Sequence, residues 1–304
     1  MHVFSRSILL HYSDPLSFPL FKYAIAESPG EFVFPNETLC RQAASEYASN
    51  FKCLGSRQEV VDCLRKIDVK ALYPPQPAAQ SYIPCYNMST MRMLLTSPKN
   101  DSLVIGYNKE EGNVFATLLF RATPSTNISK AEFGAVLEGI FDQSAFHSAI
   151  KEDTYLKSMP ACVGALYAPL GESIGLFREG ARIAGDAIVI CGSQISQEAL
   201  SAAPRNNMYG YQFEYRSSDQ IIPNLNATHT SELFLLFKMA GEEYIEHWGT
   251  WGAYLKSLSE EDLNVSQNMV QMWTKFFTSG KWNGPPLSTG KITLINNTST
   301  DIKI

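Results

Sequence analysis

Three segments of the chain carry residue types that could perform nucleophilic chemistry together. Glu111 stands at the end of the segment L-V-I-G-Y-N-K-E-E, and His229 precedes Thr230-Ser231-Glu232-Leu233. Ser173 lies within G-E-S-I-G, which matches the pattern G-x-S-x-G. A serine hydroxyl becomes a nucleophile when a histidine takes its proton, and a carboxylate can hold that histidine in the correct orientation. Judged singly, however, a glutamate before glycine is usually a solvated turn residue, and a loop histidine usually serves packing.

The predicted elements around these residues alternate between helix and strand. Ser102–Tyr107 is a short apolar run that predicts a buried strand, and Gly112–Phe120 is compatible with a helix. Met208–Tyr215 alternates large and small residues with a period of two, which predicts another strand. Strands separated by long helical stretches indicate a layered α/β domain.

The end of the chain gives the clearest local signals. Ser259-Glu260-Glu261-Asp262 resembles a capping box that begins a helix, and Gly280 ends it. The predicted apolar stripe of this helix contains five residues: Met269, Val270, Trp273, Phe276 and Phe277. Lys291–Ile295 is predicted to form a last edge strand.

Composition excludes several classes of function. The net charge is −5 and no basic stripe is present, so nucleic-acid binding is not expected. No apolar run approaches the ~20 residues of a membrane-spanning helix. No C-x-x-C pair supports a zinc or redox site. After the weakly basic start Met1–Arg6, only Ile8-Leu9-Leu10 is apolar before His11, which is too little for a secretory signal peptide.

Asparagine sequons nevertheless point to the secretory pathway. The N-x-S/T pattern occurs at Asn36, Asn87, Asn100, Asn127, Asn226, Asn264, Asn296 and Asn297. One interpretation is a glycosylated extracellular protein. The other is a sequence that is simply rich in Asn, Ser and Thr, because a single sequon often arises by chance.

The chain has six cysteines, of which two stand close together. Cys53 and Cys63 flank a short polar loop and a helix-like stretch. A bridge between them would close a small loop and stabilise the fold by about 2–3 kcal/mol. Alternatively they are two small, partly buried thiols. The sequence predicts no pairing for the remaining cysteines, Cys40, Cys85, Cys162 and Cys191.

The chain resembles type-B carboxylesterases and cholinesterases in a series of ordered fragments. Ser13–Gly30 resembles the family stretch that ends in A-I-x-Q-S-G, and Leu103–Gly112 resembles the segment that holds the catalytic acid. The other similar fragments are Cys53 with Cys63-Leu64-Arg65, Gly185–Cys191, Tyr209–Arg216, His229–Leu233 (family pattern H-x-x-E-L) and Trp273–Gly280 (family pattern W-T-N-F-A-x-T-G).

This resemblance implies an α/β fold, namely the C-terminal part of an α/β-hydrolase fold with a partial central sheet flanked by helices. Residues 1–304 would form a partial carboxylesterase type-B domain, the region after the nucleophile elbow. The resemblance further implies that Glu111 is the catalytic acid, that His229 is the base, and that Cys53 and Cys63 form a disulfide. It implies a small ester as substrate, no metal or cofactor, and an extracellular or secretory location.

The chain departs from the family pattern at the nucleophile. Counting back from Phe21, the serine should fall within a residue or two of Met1, where Ser5 and Ser7 lack flanking glycines. The glycine-rich loop that supplies oxyanion donors in this family is not found either. We therefore expect the chain to be inactive as it stands.

Ser173 is a poor substitute for the missing serine. A nucleophile elbow joins a strand to a helix through a strained turn, and Pro169 would be badly tolerated near the end of a central strand. The order Glu111, Ser173, His229 also differs from the order serine, acid, histidine of α/β-hydrolases.

Two hypotheses follow for the function. The first is an incomplete esterase that carries the acid and base of ester hydrolysis. The second is a non-catalytic, cholinesterase-like binding or adhesion protein with a protein partner, which is motivated by the sequons and by the missing nucleophile.

Overall fold

The computed structural model describes residues 2–14, 16–30, 37–72, 102–142, 159–202, 207–241, 255–296 and 300–303. Five strands of this part of the chain form one sheet. They are Tyr23–Glu27 (β1), Ser102–Asn108 (β2), Met208–Phe213 (β3), Ile292–Ile295 (β4) and Thr300–Lys303 (β5).

Helices fill most of the remaining described chain. The α-helices are His2–Ser13 (α1), Glu37–Asn50 (α2), Arg57–Leu64 (α3), Val69–Leu72 (α4), Gly112–Phe120 (α5), Lys130–Asp142 (α6), Met159–Ile174 (α7), Leu176–Gly185 (α8), Cys191–Ser201 (α9), Ser231–Leu236 (α10) and Glu260–Ser279 (α11). A π-helical turn, Asp186–Ile190, connects α8 to α9, and short 3-10 turns cover Phe18–Leu20 and Leu287–Thr289.

The strands follow one another in chain order across the sheet. Neighbours from β1 to β4 run parallel, and β5 pairs antiparallel with β4. All seven residues of β2 are buried, as expected for a parallel strand between two others. The α/β prediction, with a sheet flanked by helices, is therefore confirmed. Because the four strands are parallel, their carboxyl ends meet at one edge, where the candidate site lies.

Side-chain alternation divides the core between the two faces of the sheet. Ile25, Val104 and Tyr211 face α10 and α11, and they pack with Trp273 and Phe276 of α11. On the other face, side chains of α1 and α9 pack against the sheet at Ala24, Ala26, Leu103 and Ile105. The period-two pattern of the strands thus produces a helix–sheet–helix sandwich.

A further layer of helices, α5 to α8, packs beyond the carboxyl end of β2. Its closest crossing is between α5 and α8, where both helices contribute glycine. A Cβ atom added to Gly112 would lie 1.7 Å from the carbonyl oxygen of Ala181 and 2.5 Å from the backbone nitrogen of Gly185. The close approach therefore depends on the missing side chain. It places the start of α5, directly after Glu111, against the end of α8.

The predicted limits of the last helix are confirmed, but its apolar stripe is narrower than predicted. Ser259 and Asp262 form a reciprocal capping box, and Gly280 ends the helix with a φ of 70°. Met269, Trp273 and Phe276 are buried, whereas Phe277 is 52% exposed and Val270 is 39% exposed. The helix packs on the sheet along one side only, and these two residues lie beyond that contact.

The prediction of an edge strand at Lys291–Ile295 is wrong. The strand itself is present as β4, but it pairs with β3 on one side and with β5 on the other. The short β5 carries only the weak pattern Thr-Asp-Ile-Lys, which gave no strand signal in the sequence.

The cysteine and sequon predictions have different outcomes. Cys53 and Cys63 form a disulfide, as the resemblance implied, and Cys191 is an exposed free thiol. The Asn127 and Asn264 side chains are exposed, and Asn226 and Asn296 are partly buried. Asn36, Asn87 and Asn100 lie outside the described residues. Glycosylation at all of these positions stays a prediction.

No helix among the described residues is both long and apolar enough to span a membrane.

Candidate active site

The candidate site is built on the turn that connects β2 to α5. Glu111 is fully buried there, and three donors converge on its carboxyl group. Its Oε1 accepts hydrogen bonds from the Ser28 hydroxyl at 2.5 Å and from the Asn108 backbone N–H at 2.7 Å, while Oε2 accepts from His229 Nδ1 at 2.7 Å. Donors on both oxygens stabilise a buried carboxylate, because they replace the water that it loses.

His229 reaches Glu111 from the loop between β3 and α10. The two residues are 118 positions apart, and His229 is 9% exposed. A carboxylate at Nδ1 selects the tautomer that carries its proton on Nδ1, so Nε2 is the basic nitrogen. The imidazole ring also lies 5.2 Å from the Phe115 ring, measured between centroids and at 31° between planes. The carboxylate and the aromatic ring together fix the orientation of the base.

Backbone hydrogen bonds hold the two chain segments side by side. The Glu110 N–H donates to the Ala227 carbonyl at 2.9 Å, and the His229 N–H donates to the Glu111 carbonyl at 3.3 Å. Between them, the Thr228 hydroxyl accepts from the Val114 N–H at 2.9 Å. The distance between acid and base is thus set by main-chain bonds as well as by their side chains.

Two residues beside the acid–base pair have left-handed backbone conformations. Ser28 has a φ of 50°, and Thr230, which directly follows His229, has a φ of 71°. Such a conformation is uncommon for any residue other than glycine, above all for a β-branched one such as Thr230, and costs of the order of 1–3 kcal/mol. At both positions the surrounding structure imposes it, and the strained residues flank the groups that would do chemistry.

Two further buried carboxyl groups, those of Glu27 and Glu232, lie in the same part of the core as Glu111. Burial raises the pKa of Glu27 to about 7, although a hydrogen bond from Trp273 Nε1 at 2.9 Å opposes the shift. Burial and the charges of Glu111 and Glu27 hold the pKa of Glu232 well above its usual range. Because like charges disfavour one another in a buried cluster, the neighbouring carboxyl groups add to the effect of burial in opposing ionisation of Glu232.

A cleft of about 510 Å³ opens on the outer side of the acid. Its lining includes Glu110, Arg178 and Arg216, and the Arg216 guanidinium forms an ion pair with Glu110 at 2.6 Å. Burial raises the pKa of Glu110, whereas it lowers that of Arg178. Charges of both signs therefore line this cleft.

The structure places Ser173 away from any strand-to-helix turn. It is the penultimate residue of α7, its side chain is exposed, and the pentapeptide G-E-S-I-G continues the helix up to Gly175. Pro169 lies inside the same helix. The local geometry is that of a helix end and not of a nucleophile elbow.

Sequence analysis singled out Glu111 and His229 but missed the groups that orient them. Ser28, Asn108 and Glu232 all contact the pair or its supports. A signal was available in hindsight, because Ser28 ends the family-like stretch A-I-A-E-S and Asn108 ends the predicted strand before the acid. Among the described residues no group of three His, Cys, Asp or Glu side chains is arranged to hold a metal ion.

Comparison with known protein families agrees with the resemblance found in the sequence. Residues 5–300 match the sequence model of the Carboxylesterase family. No curated protein matches the chain.

Proposed function

Since the chain belongs to the carboxylesterase family, we propose that Glu111 and His229 are the acid and base of carboxylic ester hydrolysis. The observation that carries the proposal is the buried hydrogen bond of 2.7 Å between Glu111 Oε2 and His229 Nδ1. A buried carboxylate on Nδ1 is the arrangement that a histidine base requires.

The proposed roles are those of a catalytic base and of the acid that orients it. The basic Nε2 of His229 takes the proton from a serine hydroxyl while the serine oxygen attacks the ester carbonyl carbon. Glu111 stabilises the imidazolium that forms. His229 then returns the proton to the departing alcohol, which leaves an acyl-enzyme. Water, activated by the same nitrogen, releases the carboxylic acid and frees the serine.

The nucleophile itself is a second part of the proposal. We infer that residues 1–304 correspond to the region after the nucleophile elbow, and that these residues alone do not hydrolyse esters. The helical setting of Ser173 supports this inference, because a nucleophile elbow is a strained turn from a strand to a helix.

A fluorophosphonate probe tests the second part. The folded chain of 304 residues is expected to resist covalent capture, as read by intact-protein mass spectrometry. Capture at Ser173, or at any other serine of residues 1–304, would overturn the second part and would identify the nucleophile.

The acid and base are tested in the protein produced from its natural transcript. His229→Gln and Glu111→Gln should each lower hydrolysis of p-nitrophenyl acetate by at least about 10³-fold, because the base or its orientation is lost. His11→Gln, which changes an exposed histidine of α1, is the matched control and should keep the activity. A folded natural product that neither reacts with the probe nor hydrolyses the ester would favour the non-catalytic binding protein.

A further inference from the structure

Asn108 contacts both halves of the candidate site from the end of β2. It is fully buried, and its backbone N–H donates to Glu111 Oε1 at 2.7 Å. Its side-chain nitrogen Nδ2 donates to the Thr228 carbonyl at 2.8 Å and to the Glu232 carboxyl group. One residue of the central sheet thus holds the acid, the residue before the base, and the first turn of the helix that follows the base.

The position of Asn108 at the end of a central strand predicts that these contacts are stiff. β2 is paired on both sides, to β1 and to β3, and the last pair in the register joins Asn108 to Phe213. A side chain anchored there moves less than one on a loop, whereas His229 itself stands on a connection between elements. The Asn108 amide transfers the rigidity of the sheet to the loop that carries the base.

The amide is chemically suited to this task. Its two N–H donors serve two acceptors, the carbonyl of Thr228 and the carboxyl group of Glu232. An aspartate at this position would lack both donors and would add a further carboxyl group to the cluster of Glu27, Glu111 and Glu232. An apolar residue would leave a buried carbonyl and a buried carboxyl group without these donors, which is costly.

We propose that Asn108 is a positioning residue that sets the orientation of His229 relative to Glu111. The inference rests on the proposed function of the pair as acid and base. Asn108 acts through the Thr228 carbonyl and the start of α10, so it does not touch the reacting atoms. Loss of its side chain should therefore loosen the hydrogen bond between Nδ1 and Glu111 and lower the turnover more than the substrate affinity.

The matched control is Gln197. Its buried side-chain amide donates from α9 to the Ile105 carbonyl of the same strand at 2.9 Å, but on the opposite face of the sheet. Gln197→Leu and Asn108→Leu each remove a buried amide that donates to a main-chain carbonyl. Only the second change removes a contact to the loop of the base.

The experiment follows the Nδ1 proton of His229 by NMR in the full chain labelled with ¹⁵N-histidine. The chain has five histidines, and His229→Gln assigns the resonance. In the wild-type chain and in Gln197→Leu we expect a hydrogen-bonded Nδ1 proton that is protected from exchange. In Asn108→Leu we expect the exchange of this proton with solvent to be at least about 10-fold faster. In the protein produced from the natural transcript, the same substitution should lower kcat about 10–100-fold with little change of KM.

Each outcome decides the inference. Equal protection in Asn108→Leu and Gln197→Leu would overturn it, and so would a folded wild-type chain without a protected proton. If Asn108→Leu does not fold, Asn108→Ser retains one small donor and should give an intermediate exchange rate; wild-type protection in that variant would overturn the inference. The NMR measurement needs no turnover, so a failure of ester hydrolysis would be seen separately from a failure of positioning.

Discussion

Ser28 and Glu111 lie 83 residues apart in the sequence, yet the hydroxyl of Ser28 donates to Glu111 Oε1 at 2.5 Å inside the core. Ser28 directly follows β1, and Glu111 follows the neighbouring strand β2. The parallel pairing of the two strands brings their carboxyl ends together and creates this contact.

Ser28→Ala should therefore destabilise the fold measurably. The change removes a donor from a buried charged group, which typically costs about 1.5–3 kcal/mol. Ser49→Ala is the control, because it removes a hydroxyl that donates to the Glu46 carbonyl on an exposed helix surface. Urea unfolding measures both free energies, and equal values for the two variants would contradict the role assigned to Ser28.

Gly112→Ala should destabilise the crossing of α5 and α8. The added Cβ would overlap with the Ala181 carbonyl, and backbone cannot move aside as a side chain can. We expect a loss of at least about 1–3 kcal/mol from overpacking. Gly134→Ala on α6 is the matched control, because its Cβ would meet nothing within 4 Å. That variant should gain about 0.4–1 kcal/mol through helix propensity. Denaturant unfolding of both proteins measures the difference, and a stable Gly112→Ala protein would show that the helices can separate.

Glu27→Gln should change the pH dependence of stability in a predictable direction. The pKa of Glu27 is about 7 in the folded chain, against 4.5 for an ordinary glutamate, so folding favours the protonated form. Below 4.5 the group is protonated in both states and burial carries no ionisation penalty. As the pH rises from 4.5 to 7, the unfolded state gains stability by ionising, and the wild-type protein loses up to about 1–3 kcal/mol.

The Glu27→Gln variant lacks this loss, since glutamine does not titrate and can still accept the bond from Trp273. The difference in free energy of unfolding in favour of the variant should therefore grow between pH 4.5 and 7 and then level off. Glu59→Gln is the control of opposite sign. Hydrogen bonds from Ser56 lower the pKa of Glu59, so the wild type should be the more stable protein near pH 7, and the gap should close as the pH falls below 4.5. Parallel stability curves for wild type and Glu27→Gln would show that Glu27 titrates normally.

The disulfide between Cys53 and Cys63 should stabilise the fold by restricting the unfolded chain, to an extent that rises only slowly with the length of the loop that it closes. The bridge spans 10 positions, and its removal by the double change to serine should cost about 2–3 kcal/mol. Dithiothreitol should lower the wild-type free energy of unfolding to the value of the variant and leave the variant unchanged. Cys191→Ser alters an exposed free thiol and should stay within about 0.5 kcal/mol of the wild type. No response of the wild type to reductant would mean that the bridge does not stabilise the fold.

Local sequence patterns predicted the limits of helices and strands well where the residues that end an element lie next to it in the sequence. The helix predicted at Gly112–Phe120 has those limits, and the strand predicted at Ser102–Tyr107 extends by one residue to Asn108. The capping box at Ser259 and the glycine at 280 mark helix ends by local hydrogen bonds and backbone conformation, which are properties of the nearby sequence.

The contacts of the site could not be predicted in the same way. The bonds from Ser28 to Glu111 and from Asn108 to Glu232 depend on which strands are neighbours and on their register. The left-handed conformation of Thr230 is likewise imposed by its surroundings, because threonine has no local preference for it. Only the family resemblance identified Glu111 and His229 as a pair. Its fragments include Ser28, Asn108 and Glu232, but the resemblance assigned these three residues no contact with the pair.

The parallel register of β1, β2 and β3 has a consequence for how this protein can be studied. Since the residues of the site come from the ends of strands that are far apart in sequence, a fragment that lacks any one of these strands cannot assemble it. A protected Nδ1 proton on His229 would then report completed folding of the central sheet. It could serve to screen expression conditions or stabilising substitutions before any substrate is known.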